Sequence, residues 1–407
     1  MPALRHAFPF TLIDPARHPV PDPADPWVTL RARHPVAWCE GENGQGFWVI
    51  ARYADIAAVY RDTGRLSSQQ GNVLATIMAG GDSAGGRMLV VTDPPRHTDM
   101  RRVLQGAFSP RAMARILDAL TSATRDTLGA LVCRGGGDFA REVAAVIPLL
   151  TMCELFDVPA AERPRMLDLT MAAMGTEREA RAGGQAAAQR EILQYYAHLL
   201  ALRRTDPGPD IVSLMAAEQP DGTTLTDAEI LLNCYNIIIG GNETTRFSAS
   251  GGVLALIEHP EQWQRLQEDE SLLDSAVEEV LRWTTPATHV ARTATTDIVL
   301  QGVEIKAGDI VTLWNTSANR DEQVFADPYT FDIGRTPNRH LALGHGPHFC
   351  LGGPLARTEL RLLLSEMRRQ VPELKLDGPL EWIGSSVLAG LSRLPLAVTS
   401  RPTSTTG

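Results

Sequence analysis

The stretch LGHGPHFCLGGPLAR, residues 343–357, carries the strongest chemical signal in this chain of 407 residues. Its Cys350 is one of five cysteines, with Cys39, Cys133, Cys153 and Cys234, and no two form a CxxC pair. Neither a disulfide framework nor a structural zinc site is therefore indicated. A lone cysteine is usually a small buried hydrophobe, and that reading suffices for the first four. Around Cys350, glycines at 344, 346 and 352 allow a tight loop, and a helix starting near Gly353 or Pro354 directs its positive end at the sulfur. A thiolate is favoured over a thiol in such a place. A soft anionic ligand without a second cysteine or paired histidine suits an iron porphyrin, which brings four equatorial ligands of its own.

A second group, GGNETT at residues 240–245, sets an acid and an alcohol, Glu243 and Thr244, side by side in an apolar helix. Two adjacent glycines cost a helix roughly 1 kcal/mol each relative to alanine. One reading is that a flat ligand approaches the bare backbone while the Thr244 hydroxyl competes for a helix carbonyl and opens a groove. The other is a helix crossing that needs small residues. A third group, Glu279 and Arg282, is spaced i, i+3, so both side chains share a helical face. Exposed pairs of that kind are common and worth only tenths of a kcal/mol.

The elements that position these groups are mostly helical. Thr226 with Glu229 forms a capping box, and no breaker stronger than glycine follows until Pro260, which predicts a helix of about 34 residues and roughly 50 Å. Residues 110–267 read as almost wholly helical, with loops at 135–137, 183–184 and 205–210. Earlier, Phe47 to Ala51 reads as a strand, a helix follows from about Ala54, and 71–86 reads as a Gly-rich loop. Asp93 before Pro94, and Ser109 before Pro110, suit helix starts. After Pro286, TDIVL, QG and VEI predict a hairpin ahead of a strand over Ile310 to Trp314. The fold class is mainly α with a small β portion, in a single composite domain.

With 44% hydrophobic and 21% charged residues the chain can bury a large core, and a formal charge of −10 without a long basic run argues against a nucleic-acid partner. The proline-rich arm, about 1–27, lacks the apolar core of a signal peptide or a membrane anchor, so no membrane partner and a cytoplasmic location are expected.

Taken in order along the chain, these motifs resemble those of the cytochrome P450 family across essentially the whole length. Residues 343–357 look like the haem-binding Cys loop, 279–282 like the helical ExxR pair, and 240–245 like the oxygen-activating segment of the long central helix. His97 and Arg101 resemble an HxxxR that binds haem propionates. The resemblance implies haem b, with Cys350 as the iron ligand and Gly240, Leu343, Gly344 and Gly352 beside the cofactor. It also implies His97, Arg101, Arg292 and His348 on the propionates, and Glu243 and Thr244 as a proton relay. Glu279 and Arg282 would be structural.

Two departures stand out. Leu343 replaces a usual Phe, and PYTF places Thr330 where many members carry an Arg that buttresses the ExxR pair. Arg335 or a neighbour is the candidate substitute. Family topology implies a substrate pocket drawn from loop 71–88, the helix pair 166–184, and Met78, Met88, Asn236, Ile239, Thr288, His289, Val290, Val387 and Leu388. A medium-sized, partly polar metabolite, free or tethered to a carrier protein, is expected, and the composition resembles P450s of actinobacterial natural-product pathways. The haem domain is expected to fill 1–407 with no fused reductase, so electrons would come from a ferredoxin and a ferredoxin reductase. Arg102, Arg111, Arg115, Arg357 and Arg361 are candidates for attracting an acidic ferredoxin. The expected reaction is oxidation by O2, hydroxylation first, with epoxidation, desaturation or oxidative coupling as alternatives. A haem-thiolate sensor or binder without turnover is the rival from another class.

Overall fold

The computed structural model describes residues 26–40, 45–174 and 184–399. Almost all of the proline-rich arm, and residues 175–183 of the expected pocket segment, lie outside that set.

The central element is the helix Asp227–Glu258. The Thr226 hydroxyl accepts from the Glu229 N–H, and the Glu229 carboxylate accepts from the Thr226 N–H at 2.8 Å, so the capping box is closed. Its 32 residues span about 48 Å, and it runs unbroken through the double glycine. The expected groove is thus not a break. Thr244 Oγ1 donates to the Gly240 carbonyl at 2.8 Å while the helix continues. Three of its glycines serve close packing: a Cβ would lie 2.6 Å from Met152 Sδ at Gly241, 2.8 Å from Thr284 at Gly251 and 2.7 Å from Val280 at Gly252. At Gly240 an added Cβ meets nothing within 4 Å.

Against this helix pack Leu273–Thr284, which carries Glu279 and Arg282, and Gly353–Gln370, which follows the Cys loop. The three share a core in which Val253, Val280, Leu281, Leu360 and Leu364 meet. A second core forms where Pro110–Cys133, Val146–Leu155 and Gly184–Thr205 approach from the other side. Ser109 caps the first of these, with Pro110 at its start, as the sequence predicts.

The largest sheet of the β portion has five strands in the order Val36–Glu40, Gly46–Ile50, Ile310–Trp314, His289–Ala294, Leu66–Ser67. The predicted hairpin is Ile298–Leu300 paired with Val303–Ile305, turned by Gln301 and Gly302 at φ 51° and 77°. Positive φ at both turn residues matches the twist of the flanking strands.

Three local readings need correction. Residues 136–138 form a strand against Pro395–Thr399 rather than a loop, and a Cβ on Gly136 would lie 2.0 Å from the Leu396 carbonyl. The segment 71–86 contains a short helix, Leu74–Met78. Asp93 is not a helix cap: the helix begins at Arg96, and the Asp93 carboxylate accepts from the Ser67 hydroxyl and the Ser68 N–H.

Candidate active site

Cys350 sits in a loop set by its neighbours. Gly344 and Gly346 adopt φ of 71° and 67°, and a Cβ on Gly346 would lie 2.8 Å from the Tyr60 carbonyl, so glycine is required there. Gly352, at φ −82°, needs no such freedom; its contribution is its N–H. Burial holds the Cys350 thiol above its ordinary range, opposed by hydrogen bonds from the Gly352 and Gly353 N–H groups and by the charges of Arg101 and Arg357. Those donors are the first turn of Gly353–Gln370, aimed at the sulfur as expected.

Two adjoining cavities, of about 190 and 250 Å³, meet at Cys350. Gly240, Thr244, Leu343 and His348 line both. The first also has Asn236, His97, Arg101 and Gly352 in its wall, and the second has Val290, Arg292 and Gly344.

Basic groups crowd one edge. Burial, then the charges of Arg292, His97 and Arg101, push His348 down to about 2. Both ring nitrogens of buried His97 lack a hydrogen-bond partner, and buried Arg292 donates to the carbonyl of its neighbour Ala291 while facing the Tyr60 ring at 5.9 Å. Asp93 is near enough to act on His97 and Arg292, but both its oxygens are engaged by Ser67 and Ser68. Buried Arg292 and half-buried Arg101, beside the unpaired ring nitrogens of His97, are costly unless anionic oxygens reach them.

Comparison with known proteins settles the family. A cytochrome P450 family model matches residues 155–370. The chain is 44% identical over 372 residues, 91% of each chain, to cytochrome P450 NovI of Streptomyces niveus. The chain belongs to the cytochrome P450 family of monooxygenases. It is also 34% identical over 386 residues, covering 91% of this chain and 90% of the relative, to a methyl-branched lipid omega-hydroxylase of Mycobacterium tuberculosis. Among solved structures it resembles P450 OxyD, involved in the biosynthesis of vancomycin-type antibiotics, with a TM-score of 0.83, 36% identity, and 92% and 95% of the two chains covered.

The family's cofactor is a haem iron, and the residues here fit it. Cys350 offers the sulfur, and the orphaned donors of His97 with Arg101, Arg292 and His348 suit two carboxylates at the ring edge.

Other residues of this P450 fall differently from the sequence reading. Glu243 lines neither cavity; it is wholly buried and faces Arg246 at 3.4 Å, with Asn242 Nδ2 also at 3.4 Å. Of the nine expected substrate residues, Asn236 and Val290 reach the cavities, whereas Met78, Met88, Ile239, Thr288, His289, Val387 and Leu388 are absent from their walls. Strand parity explains His289. Val290 and Arg292 point to the cavity, so His289 points the other way, stacked on Trp314 at 4.3 Å. Thr288 Oγ1 is spent on His289 Nδ1 and the Val387 carbonyl, and Leu388 bridges Ala287.

The ExxR pair is fully buried, Arg282 Nε to Glu279 at 2.7 Å. Thr330 contributes only its carbonyl; Arg335 Nε at 3.2 Å and Asn338 Nδ2 at 3.0 Å supply the missing donors to Glu279. Asn72, in the expected segment 71–88, does reach the second cavity, whereas sequence reasoning missed Tyr60, Val90 and Ser248 in the walls, and Glu359. Glu359 alone carried a signal, an acid two turns into the helix after the Cys loop.

Proposed function

We propose that this P450 binds haem b through Cys350 and oxidises a natural-product intermediate, by hydroxylation in the first instance. The observation that carries the proposal is a cysteine sulfur on a cavity floor at the N-terminus of Gly353–Gln370, with the Thr244 hydroxyl and bare Gly240 in the same cavity and buried basic donors at its edge. Bound there, the haem supplies the oxygen-binding iron and its redox chemistry. Cys350 would hold the iron; His97, Arg101, Arg292 and His348 would take the propionates.

Thr244 already gives its proton to Gly240, so its oxygen is free to accept a proton-bearing partner in the cavity. Glu243 must leave Arg246 before it can pass a proton inward, so Arg246 governs that step. The apolar walls, with Asn236, Asn72 and Ser248 interspersed, suit a medium-sized molecule with a few polar groups, free or carried by a protein. The likeness to NovI and OxyD supports a natural-product role.

We place the enzyme in the cytoplasm, its residues 1–407 acting as one haem domain, with electrons from a ferredoxin and its reductase. No helix among the described residues is long and apolar enough to cross a membrane. Three of the arginines offered for docking have partners: Arg102 pairs with Asp99 and Asp221, Arg357 with Glu278 and Arg361 with Asp274. Ionic attraction therefore rests on less free charge than a count of arginines implies.

The test is the absorption spectrum of the dithionite-reduced protein under carbon monoxide, in wild type and Cys350→His. A strongly red-shifted Soret band in wild type alone is expected. Its absence from folded, haem-supplied wild type overturns the proposal.

A further inference from the structure

We infer that Glu278 is a positioning residue that clamps both arms of the Cys350 loop and cancels the charge of Arg357 beside the sulfur. The inference rests on the haem-thiolate reading above.

Glu278 and Glu279 are consecutive, yet they serve different networks. While Glu279 turns to Arg282, Glu278 receives Arg357 in a two-pronged bond, Nε to Oε1 at 2.6 Å and Nη2 to Oε2 at 2.9 Å. Arg357 stands one turn beyond Gly353, whose N–H donates to the Cys350 carbonyl at 3.2 Å. Its free Nη1 lies 3.5 Å from where a Gly353 Cβ would be. Glu278 Oε2 also meets His340 Nε2 at 3.1 Å.

The tautomer of His340 follows from its other nitrogen. Nδ1 accepts from the Ala342 N–H at 3.3 Å, which leaves Nε2 to donate to Glu278. His340 leads into Leu343, whose carbonyl receives the Cys350 N–H. One carboxylate thus ties the helix Leu273–Thr284 to the segment before the loop and to the helix after it. Within the group the charge of Glu278 offsets that of Arg357.

Arg357 is among the charges that act on the Cys350 sulfur. Removing the Glu278 charge leaves Arg357 uncompensated there. A more positive surrounding favours the added electron of the reduced state. Glu278→Gln keeps an oxygen acceptor for His340 and Arg357 while removing the charge.

The experiment is a dye-coupled redox titration of haem-loaded wild type, Glu278→Gln and Glu278→Gln/Arg357→Gln, with carbon monoxide spectra recorded in parallel. At a fixed potential, Glu278→Gln is expected to raise the ferrous-to-ferric ratio about threefold to tenfold, tenfold being about 59 mV for one electron. The double variant, neutral again, is expected to return to within about twofold of wild type. A purely structural clamp would not show that compensation. An intact thiolate spectrum with an unmoved ratio in Glu278→Gln, or a shift that persists in the double variant, overturns the inference and leaves the haem-thiolate reading standing. A wild type without the thiolate spectrum overturns both. Should Glu278→Gln not take up haem, Arg357→Gln alone, titrated at pH 8, must lower the ratio at least threefold; no change there overturns the inference.

Discussion

Glu359→Gln is expected to stabilise the protein in alkaline solution and leave it unchanged in acid. Glu359 is buried on Gly353–Gln370 and lines the cavity above Cys350. Burial pushes its carboxyl up to about 7 from an ordinary 4.5, against hydrogen bonds with Thr151 and Thr245. Its Oε1 has no partner, and the Thr151 hydroxyl already donates to the Ile147 carbonyl at 3.0 Å. Because the folded pKa is raised, the folded state holds the proton more tightly than the unfolded chain. Stability is therefore present below about pH 4.5 and lost as pH rises through about 7. At about 1.4 kcal/mol per pH unit, the interval from 4.5 to about 7 amounts to about 3 kcal/mol.

Glutamine copies the protonated acid in shape, with an N–H for Thr151 and an oxygen for Thr245, and does not titrate. The assay is urea denaturation of haem-saturated wild type and variant at pH 5, 6, 7 and 8. The free-energy difference should grow to roughly 2–4 kcal/mol in favour of the variant by pH 8. Other buried groups, His289 among them, are present in both proteins and cancel. Curves that run parallel from pH 5 to 8 refute the assignment of a neutral acid at Glu359.

Neighbouring glycines should respond with opposite signs. Gly240→Ala adds its methyl to open space and should gain up to about 1 kcal/mol of helix stability while weakening binding of a bulky azole, read as a Soret shift, more than that of imidazole. Gly241→Ala must displace Met152 and should lose about 1–2 kcal/mol by urea denaturation. Arg335→Ala should cost about 2–4 kcal/mol and lower haem content, because it leaves buried Glu279 short of a donor; Thr330→Ala, which keeps the carbonyl, should stay within about 0.5 kcal/mol. Thr244→Ala should lower product formed per reducing equivalent; unchanged coupling removes Thr244 from the relay. Burial holds His289 down to about 4, so its contribution is complete above pH 6.5 and fades toward 4; His289→Phe should flatten that acid limb of the stability curve.

What the sequence determined by itself was local. Glycine at positive φ, a helix N-terminus after Cys350, the Thr226 capping box and the i, i+3 spacing of Glu279 and Arg282 are near-neighbour relations. Backbone sterics and helix periodicity enforce these wherever the segment lies. The same kind of reasoning identified the thiolate loop and the family. The tertiary structure decided everything that depended on distant segments meeting. Arg335 and Asn338 reach Glu279 from 56 and 59 residues away, a pairing no local pattern encodes. His289 turned from the cavity because its parity on a paired strand opposes that of Val290, and register is fixed by the partner strand. Glu243 turned to Arg246, and Glu278 claimed an arginine that sequence alone had left for an external partner. Burial is set by what packs overhead, so the charge state of Glu359 and the neutralisation of Arg357 were settled only when three helices closed around the Cys loop.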